Sequence, residues 1–240
     1  MIDPSSVTPG ALFLTFEGIE GTGKSTQLAR LAHRLRASGV DPVVTREPGG
    51  TELGRRLRAL LLEPTAQPFS PQAELLLYVA DRAQHLSQVI EPALAAGRIL
   101  LCDRYVDATV AYQGFGRELG PERIAGLHRD PPLNRLPQRT LLLDLEPELA
   151  LARARERNLR ENLDETEGRF ERERLAFHRR VRQGYLTRQA AEPQRIRRVD
   201  ADGDPDLVEA RIHAALADLL PLLIARAARP TPPVEDRHDV

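Results

Sequence analysis

Short apolar runs recur along the chain and are separated by longer segments with a different pattern. Each run is five or six residues long, and all but the last, RIRRV, which is a weaker match, are rich in Leu, Val, Ile or Phe. Runs of this length and composition are typical of buried strands. We therefore predict strands at 11–16, 40–45, 98–102, 140–145 and 195–199.

The longer segments carry apolar residues at spacings of three and four, the pattern of a helix with one buried face. In the segment after the first run, Leu28, Leu31 and Leu35 follow this spacing, and Gly39 ends it as a C-terminal glycine does. Strands that alternate with helices indicate an α/β fold, in which helices cover both faces of a mainly parallel sheet. We predict helices at about 24–37, 52–62, 71–96, 147–157, 170–191 and 205–227.

The length of 240 residues suits one α/β domain with a full core. We assign that domain to residues 12–228. Residues 1–11 lack the basic start of a secretory signal and are expected to be a flexible leader. The tail, 229–240, is rich in proline and charge and is expected to be disordered.

Composition excludes several partners. A formal net charge of -1 gives no basic field for nucleic acid, and no apolar run approaches a membrane span. The single cysteine, Cys102, rules out an internal disulfide or a cysteine-based zinc site, which fits a reducing cytoplasm. We expect neither nucleic acid nor a membrane as a partner.

One lysine stands out, because Lys24 is the only Lys among 34 basic residues. An arginine-rich chain that keeps one ammonium suggests a place where only a compact point charge fits. Lys24 lies in the motif G-x-x-x-x-G-K-[ST], between a predicted strand and a predicted helix, which is the context of a P-loop. Its backbone N–H groups would hold ATP phosphates, with Lys24 on the β- and γ-phosphates and the Ser25 hydroxyl on Mg²⁺. The predicted ATP-binding residues are Gly18, Ile19, Glu20, Gly21, Thr22, Gly23, Lys24, Ser25 and Thr26.

A P-loop alone does not name the reaction. A switch GTPase needs an N-K-x-D motif, which a chain with Lys24 as its only lysine cannot contain. A P-loop ATPase remains an alternative, because Asp144 and Glu146 end an apolar strand. A kinase for another nucleotide or nucleoside is the nearer alternative.

Polar clusters follow other predicted strands, at the sheet edge where open α/β sheets bind ligands. The segment 45–51 reads TREPGGT, and the segment 103–105 reads DRY and continues to a Tyr-Gln-Gly run. On the long middle helix, Tyr78 and Arg82 are four residues apart and share a face.

Together with the P-loop, these clusters resemble the thymidylate kinase family of P-loop nucleoside-monophosphate kinases. The similarity spans about 12–199 and is carried by the stretches FEGIEGTGKST, TREPGGTELG, DRYVDATVAYQG and RFERERLAFHRRVRQGYL. It implies a three-layer α/β/α P-loop kinase with a five-stranded parallel sheet and a lid segment. It also implies a homodimer that moves the γ-phosphoryl group of ATP to dTMP with Mg²⁺, a step in dTTP synthesis.

The resemblance assigns roles to residues from each cluster. Arg104 would grip the dTMP phosphate and be catalytic together with Lys24. Tyr78 would stack on the thymine ring, and Arg82 would hydrogen-bond the base edge. The implied dTMP site consists of Glu20, Arg46, Pro48, Tyr78, Arg82, Arg104, Thr109 and Tyr112.

Three further roles concern the sugar, the pocket walls and the metal. By the resemblance, Glu20 would meet the sugar 3′-hydroxyl, and Thr109 and Tyr112 would form walls against the base and deoxyribose. Asp103 would support the magnesium shell beside Ser25.

Phosphoryl transfer needs cationic groups around the transferred phosphate, and the P-loop carries no basic residue besides Lys24. In family members with this arrangement a lid supplies the arginine, which places a lid at about 153–169. Its candidate arginines are Arg153, Arg155, Arg157 and Arg169, of which Arg155 and Arg169 are predicted to be catalytic.

The lid departs from the family pattern in two ways. It is several residues longer than usual. The Asp commonly found before the Arg-Phe-Glu run is Gly168 here, with Glu167 one position earlier. The sequence therefore leaves open which lid arginine acts on the phosphate.

Overall fold

The apolar strands assemble into one parallel sheet in the computed structural model, which describes residues 11–64, 67–161 and 169–219. The strand order is β2-β3-β1-β4-β5, and each adjacent pair is parallel. All five predicted strands are present, each shifted by one to three residues at its ends. Their bounds are β1 Leu12–Glu17, β2 Val43–Arg46, β3 Ile99–Asp103, β4 Arg139–Asp144 and β5 Ile196–Asp200.

Helices connect these strands. Two stretches, Leu86–Ile90 and Val110–Gly116, wind as π-helix. The α-helices of the described residues are α1 Lys24–Ala37, α2 Glu52–Leu62, α3 Pro71–His85, α4 Glu91–Ala95, α5 Val106–Thr109, α6 Pro121–Leu127, α7 Pro147–Glu161, α8 Leu175–Ala191 and α9 Pro205–Ala215.

The central strand β1 is buried on both faces, as its uninterrupted apolar sequence predicts. Leu12, Leu14 and Phe16 belong to a large core cluster that includes side chains of α1 and α8. Phe13 points the other way, into a second cluster with Leu86 and other residues of the 86–94 segment. The predicted α/β class, with helices on both faces of the sheet, is therefore confirmed.

The long helix predicted at 71–96 is continuous in path but changes its winding at Leu86–Ile90, where α3 passes through π-helix into α4. The segment 106–127 was not predicted to be helical, yet it forms α5, a π-helix and α6. Its glycines and β-branched residues weaken the helical signal. Packing compensates, because Gly116 and Gly184 allow close contact with Phe177 and Phe115 on the facing elements.

The last predicted helix, 205–227, ends within its described part, and its positions 220–227 lie outside the described residues. Helix α9 stops at Ala215, where the buried guanidinium of Arg139 donates to the Ala215 carbonyl at 3.0 Å and pairs with Asp218 at 2.6 Å. Because Arg139 of β4 donates to this carbonyl, the end of the helix is satisfied by a tertiary contact. Helix α8 likewise starts at Leu175, after a turn, and not at residue 170.

Several predicted segments lie outside the described residues. They include the leader 1–11 except for Ala11, the tail 229–240, and positions 162–168 of the lid. None of the helices in the described part of the chain is both long and apolar enough to cross a membrane.

The sheet register brings the sequence motifs to one edge. Phe16 of β1 and Arg46 of β2 both pair with Asp103, the last residue of β3. The segments that follow these three strands are the P-loop, the TREPGGT turn and the DRY turn. Their side chains therefore meet at the carboxyl ends of the strands.

A buried carboxylate joins α5 to the far strands. Asp107 accepts two hydrogen bonds from Arg195, at 2.7 and 2.8 Å, and one from Arg188 at 3.2 Å. Thr140 of β4 donates to the same carboxylate at 3.1 Å. Although burial would raise it, the pKa of Asp107 is lowered by these arginines.

Asp107→Asn is expected to lower the free energy of unfolding by about 3–5 kcal/mol, because it leaves Arg195 without its buried counter-charge. Urea denaturation at pH 7 measures the change. The matched control is Asp41→Asn on the surface, where the carboxylate pairs with Arg36 and Arg98. That change is expected to cost less than about 1 kcal/mol. Equal costs for the two variants would contradict a structural role for the buried network.

Candidate active site

The P-loop turns from β1 into α1 with glycines at its tightest points. Gly21 has φ +76°, and a Cβ there would lie 1.8 Å from the Ala150 carbonyl oxygen of α7. No side chain can replace that hydrogen without moving α7. The loop is therefore pressed against the helix that leads into the lid.

Lys24 opens α1 and is buried, with 7% of its surface exposed. Its Nζ donates to the Ile19 carbonyl at 2.7 Å, inside the loop. Burial, with the nearby Arg104 charge, lowers the pKa of Lys24 to about 8, against the opposing effect of Asp103 and Glu20. The only lysine of the chain thus occupies a desolvated position in the phosphate loop.

A cavity of about 510 Å³ opens beside the P-loop and joins the predicted ATP and acceptor residues. Gly18, Ile19 and Thr22 do not line it, because they form the back of the loop, where the Thr22 hydroxyl donates to the Ile19 carbonyl at 2.9 Å. The predicted residues that do line it are Glu20, Gly21, Gly23, Lys24, Ser25, Thr26, Arg46, Pro48, Tyr78, Arg82, Asp103, Arg104, Thr109 and Tyr112.

Arg104 stands at the centre of this cavity in a left-handed backbone conformation, with φ +68°. Its guanidinium donates to Glu20 Oε1 at 2.8 Å and to the Gly18 carbonyl at 3.0 Å. It also stacks over the Tyr112 ring, 4.9 Å from the centroid. The residue predicted to grip a phosphate is therefore paired with a P-loop carboxylate.

Glu20 is the hub of that pairing, because Tyr112 also donates to Oε1, at 2.6 Å. Its other oxygen, Oε2, is buried and lies 3.5 Å from Nδ1 of His178. Burial alone would raise the pKa of Glu20, but the Arg104 charge and then His178 lower it. Glu20 is thus an ionised carboxylate between the P-loop and the acceptor side.

Arg82 lines the cavity but is buried in a network of its own. It donates to Glu47 Oε2 from Nε and Nη2, at 2.9 and 2.8 Å, and to the Thr109 hydroxyl at 2.9 Å. Nη1 lies 2.7 Å from Nε2 of His128. An arginine has five N–H groups, so these contacts leave one Nη1 hydrogen for a ligand.

His128, the partner of Arg82 Nη1, accepts a hydrogen bond from it. Nδ1 of His128 lies 2.8 Å from the Ile124 carbonyl, which can only accept, so Nδ1 carries the hydrogen and Nε2 a lone pair. Burial and the Arg82 charge lower the pKa of His128 to about 4. His128 is therefore a neutral acceptor that fixes the orientation of the Arg82 guanidinium.

Comparison with known proteins assigns the chain to a family. The family model described as Thymidylate kinase matches residues 16–212, which is most of the chain. The chain belongs to the thymidylate kinase family. The resemblance inferred from the sequence motifs is thereby confirmed.

Individual relatives agree with the family model. A thymidylate kinase of Oleidesulfovibrio alaskensis is 51% identical over 208 residues, covering 87% of this chain and 98% of the relative. One from a Synechococcus species is 52% identical over 214 residues, covering 89% and 98%. The crystal structure of thymidylate kinase from Ehrlichia chaffeensis matches with a TM-score of 0.67 at 31% identity, covering 87% of this chain and 99% of that one. These matches confirm the P-loop kinase fold.

Ser25 and Asp103 are suited to a hard cation. The Ser25 hydroxyl donates to Asp103 Oδ2 at 2.5 Å, so two oxygen ligands meet beside the P-loop. The described residues contain no cluster of three or more His, Cys, Asp or Glu side chains that could hold a metal alone. Such a sparse oxygen set fits Mg²⁺, which is usually completed by water and substrate phosphates.

The lid arginines divide by helix face. Arg153, Arg157 and Arg160 are three or four residues apart on α7, share a face and line the cavity. Arg155 is two residues from Arg153 and from Arg157, so it projects from the opposite face, is exposed and does not line the cavity.

Arg169 does not line the cavity either, because its guanidinium is used elsewhere. It pairs with Glu74 and donates to the Leu61 carbonyl at 2.6 Å. It also stacks on the Phe69 and Phe170 rings. In this arrangement Arg169 fastens the end of the lid segment to α2 and α3, and neither predicted catalytic lid arginine reaches the cavity.

Asp144 and Glu146, the acids of the alternative ATPase interpretation, lie outside the cavity. Asp144 accepts from Arg182 at 2.8 Å and from Arg198 at 2.7 Å, and Glu146 pairs with Arg182 at 2.6 Å. Although burial opposes it, the pKa of Asp144 is lowered by these arginines. Both carboxylates are engaged in ion pairs with arginines and do not line the cavity.

Sequence analysis missed two buried polar residues beside the cavity, Glu17 and its partner Tyr185. Glu17 ends β1, is fully buried, and accepts the Tyr105 backbone N–H at 2.7 Å and the Tyr185 hydroxyl at 2.8 Å. Burial, and secondarily the Asp107 charge, raises the pKa of Glu17 to about 8. The available signal was a carboxylate at the end of an otherwise apolar strand, which burial makes costly without partners.

Glu17→Gln is expected to make unfolding less dependent on pH. The folded pKa of Glu17 lies above its ordinary value of 4.5, so the folded state holds the proton more tightly and loses stability as pH rises from about 4.5 to about 8. The variant lacks this loss. From pH 5 to pH 8, the free energy of unfolding of Glu17→Gln should rise relative to that of the unmodified protein by more than about 1 kcal/mol.

Urea denaturation across that pH range measures the shift, with the exposed Glu52→Gln as the control. A difference between Glu17→Gln and the unmodified protein that does not change with pH would contradict a raised pKa at Glu17.

Proposed function

We propose that this protein transfers the γ-phosphoryl group of ATP to dTMP with Mg²⁺, forming ADP and dTDP as a step in dTTP synthesis. The observation that carries the proposal is one cavity in which the Lys24 P-loop faces Arg104, Arg82 and Tyr78. Relatives about half identical over most of the chain are named thymidylate kinase, which supports dTMP as the acceptor.

The donor half of the cavity is built for a triphosphate. Backbone N–H groups at the start of α1 favour anionic oxygens, and the Lys24 ammonium adds a point charge there. The transferred group needs further positive charge, because its charge is spread over three oxygens. Arg153, Arg157 and Arg160 of α7 line the cavity, which supports them as its source. Catalytic roles for Arg155 and Arg169 remain predictions that would require them to move.

The acceptor half works by exchange of partners. An incoming dTMP phosphate takes the place of Glu20 at the Arg104 guanidinium, since both are anions that accept from the same N–H groups. Glu20 is then free to accept the sugar 3′-hydroxyl, with Thr109 and Tyr112 as walls. The two members of the Arg104–Glu20 ion pair thus bind the phosphate and the sugar of dTMP, respectively.

Base selection follows from Arg82. Its one remaining Nη1 hydrogen can donate only to an acceptor, such as a pyrimidine carbonyl oxygen, and Tyr78 provides an aromatic face for the ring. An amino group at that position, as in cytosine, would leave the buried N–H unpaired, which is costly. Arg46 and Pro48 complete this side of the cavity.

Ser25 and Asp103 would hold the Mg²⁺. When bound there, the ion would neutralise charge on the ATP phosphates. The short contact between the Ser25 hydroxyl and Asp103 keeps both oxygens on the P-loop side of the cavity.

A coupled assay of ADP release across dTMP, dUMP, dCMP and dAMP tests the function. Turnover with dTMP is expected to exceed turnover with dCMP and dAMP by at least about 100-fold, because an unpaired buried donor and a misfitting base both weaken transition-state binding. If dTMP gives no more ADP than buffer, the proposal is wrong. A different preferred acceptor would indicate the alternative, a kinase for another nucleotide or nucleoside.

Two variants separate kinase from ATPase in the same assay. Lys24→Met should abolish turnover in either case and serves as the blank. Glu146→Gln should leave dTMP turnover within about twofold, because Glu146 is two-thirds exposed and away from the cavity. A P-loop ATPase would be favoured if the unmodified protein hydrolysed ATP without an acceptor and Glu146→Gln abolished that hydrolysis.

We also propose that residues 12–228 form one domain, that the protein works in the cytoplasm, and that it forms a homodimer through α2 and α3. These helices pack against each other. Each exposes large apolar side chains, namely Leu53, Leu60 and Leu76. Exposed apolar groups on adjoining helices are typical of interfaces. A reducing compartment is consistent with the buried free thiol of Cys102.

Leu76→Glu is expected to convert the dimer to a monomer, because it places a charge in an apolar interface where the side chain is otherwise 59% exposed. Sedimentation velocity measures the mass. Leu207→Glu on α9 is the control and should sediment like the unmodified protein, since that residue is also exposed, at 45%. A monomeric unmodified protein, or a dimeric Leu76→Glu variant, would contradict the proposed interface.

A further inference from the structure

The backbone at Arg104 is held in an uncommon conformation by several partners. With φ +68°, Arg104 occupies the left-handed region, which residues other than glycine rarely adopt. Its N–H donates to the Phe16 carbonyl at 2.9 Å, and its carbonyl accepts from the Cys102 thiol at 3.0 Å. Such a conformation persists only where the surroundings fix it.

Glu17 fixes the residues that follow. One of its carboxylate oxygens, Oε1, accepts the backbone N–H of Tyr105 at 2.7 Å and that of Ala108 at 3.3 Å. Tyr105 is the first residue after Arg104, and Ala108 lies in α5. The buried carboxylate of β1 therefore sets where the chain leaves Arg104.

Tyr185 connects the same carboxylate to the Arg104 side chain. Its hydroxyl lies 2.8 Å from Glu17 Oε2 and 3.3 Å from Arg104 Nη1, and the ring is 2% exposed. A guanidinium can only donate, so the Tyr185 oxygen accepts from Arg104 while the same hydroxyl stays in hydrogen-bond contact with Glu17.

Glu20 and Tyr185 are two different kinds of partner for the Arg104 guanidinium. Glu20 lines the cavity and is the anion that an acceptor phosphate replaces under the proposed function. Tyr185 is neutral and does not line the cavity. When Glu20 and phosphate exchange, Tyr185 is placed to stay hydrogen-bonded to Arg104, and Tyr112 to stay stacked on it.

We propose that Glu17 and Tyr185 are positioning residues for Arg104, with Glu17 fixing its backbone and Tyr185 holding its guanidinium while the acceptor phosphate binds. The inference rests on the proposed role of Arg104 at that phosphate. Neither residue lines the cavity, so each is proposed to act through Arg104.

Tyr185→Phe removes the hydroxyl and keeps the ring that packs in the core. The KM for dTMP is expected to rise about tenfold, the size of losing one hydrogen bond to a charged group, whereas kcat and the KM for ATP should change less than about twofold. Glu17→Ala is the second variant. It removes the acceptor of the Tyr105 and Ala108 amides, so the KM for dTMP should rise in the same direction.

A double-mutant cycle separates positioning from general structure. Calorimetry gives the Kd for dTMP of the unmodified protein, Tyr185→Phe, Arg104→Met and the double variant. If Tyr185 acts through Arg104, Tyr185→Phe weakens binding about tenfold with Arg104 present and has no further effect in Arg104→Met. Val181→Ala, one turn away on α8, is the packing control and should lower Tm without changing the Kd.

Each outcome decides a separate point. An equal loss in both Arg104 backgrounds, or no loss in Tyr185→Phe, would overturn the positioning role. Failure of the unmodified protein to bind or phosphorylate dTMP would instead overturn the proposed function, and the inference with it.

Discussion

The structure depends on how a small region holds buried positive charge. Lys24 and Arg82 are buried and Arg104 is 20% exposed around one cavity, and desolvated cations are costly unless they are paired. In the protein without ligand, carboxylates do this: Glu20 pairs with Arg104, and Glu47 pairs with Arg82. Lys24, with the weakest compensation, has its pKa lowered to about 8. A site of this kind is ready for anions, because phosphate can replace a carboxylate without leaving a cation exposed to the core.

Strand β1 carries much of this arrangement. It leads directly into the P-loop, which places Lys24 and Glu20, and its last residue, Glu17, anchors the turn that holds Arg104. Its parallel pairing with β3 sets the DRY turn beside the P-loop. One buried strand therefore positions both the P-loop and the DRY turn, and distortion of β1 would displace the two together.

The two buried arginines differ in how firmly they are held. Arg82 has Glu47, Thr109 and the neutral acceptor His128 around it and keeps one free donor, an arrangement suited to reading a single acceptor atom. Arg104 shares its guanidinium with Glu20, which an acceptor phosphate replaces under the proposed function. Fixed geometry suits recognition of a base, whereas an exchangeable partner suits capture of a phosphate.

The sequence by itself determined the α/β class, the five strands, the P-loop with Lys24 and the family, because these follow from local patterns and from motifs whose order is specific. Burial and orientation were decided only by the tertiary structure. Arg155 and Arg169 read like cavity arginines in the sequence, but helix phase turns Arg155 away and Glu74 holds Arg169. Glu17, Tyr185 and His128 carried no motif of their own. Their importance comes from contacts between residues far apart in the chain, such as the 168 positions between Glu17 and Tyr185, and a pattern of neighbouring residues cannot encode such contacts.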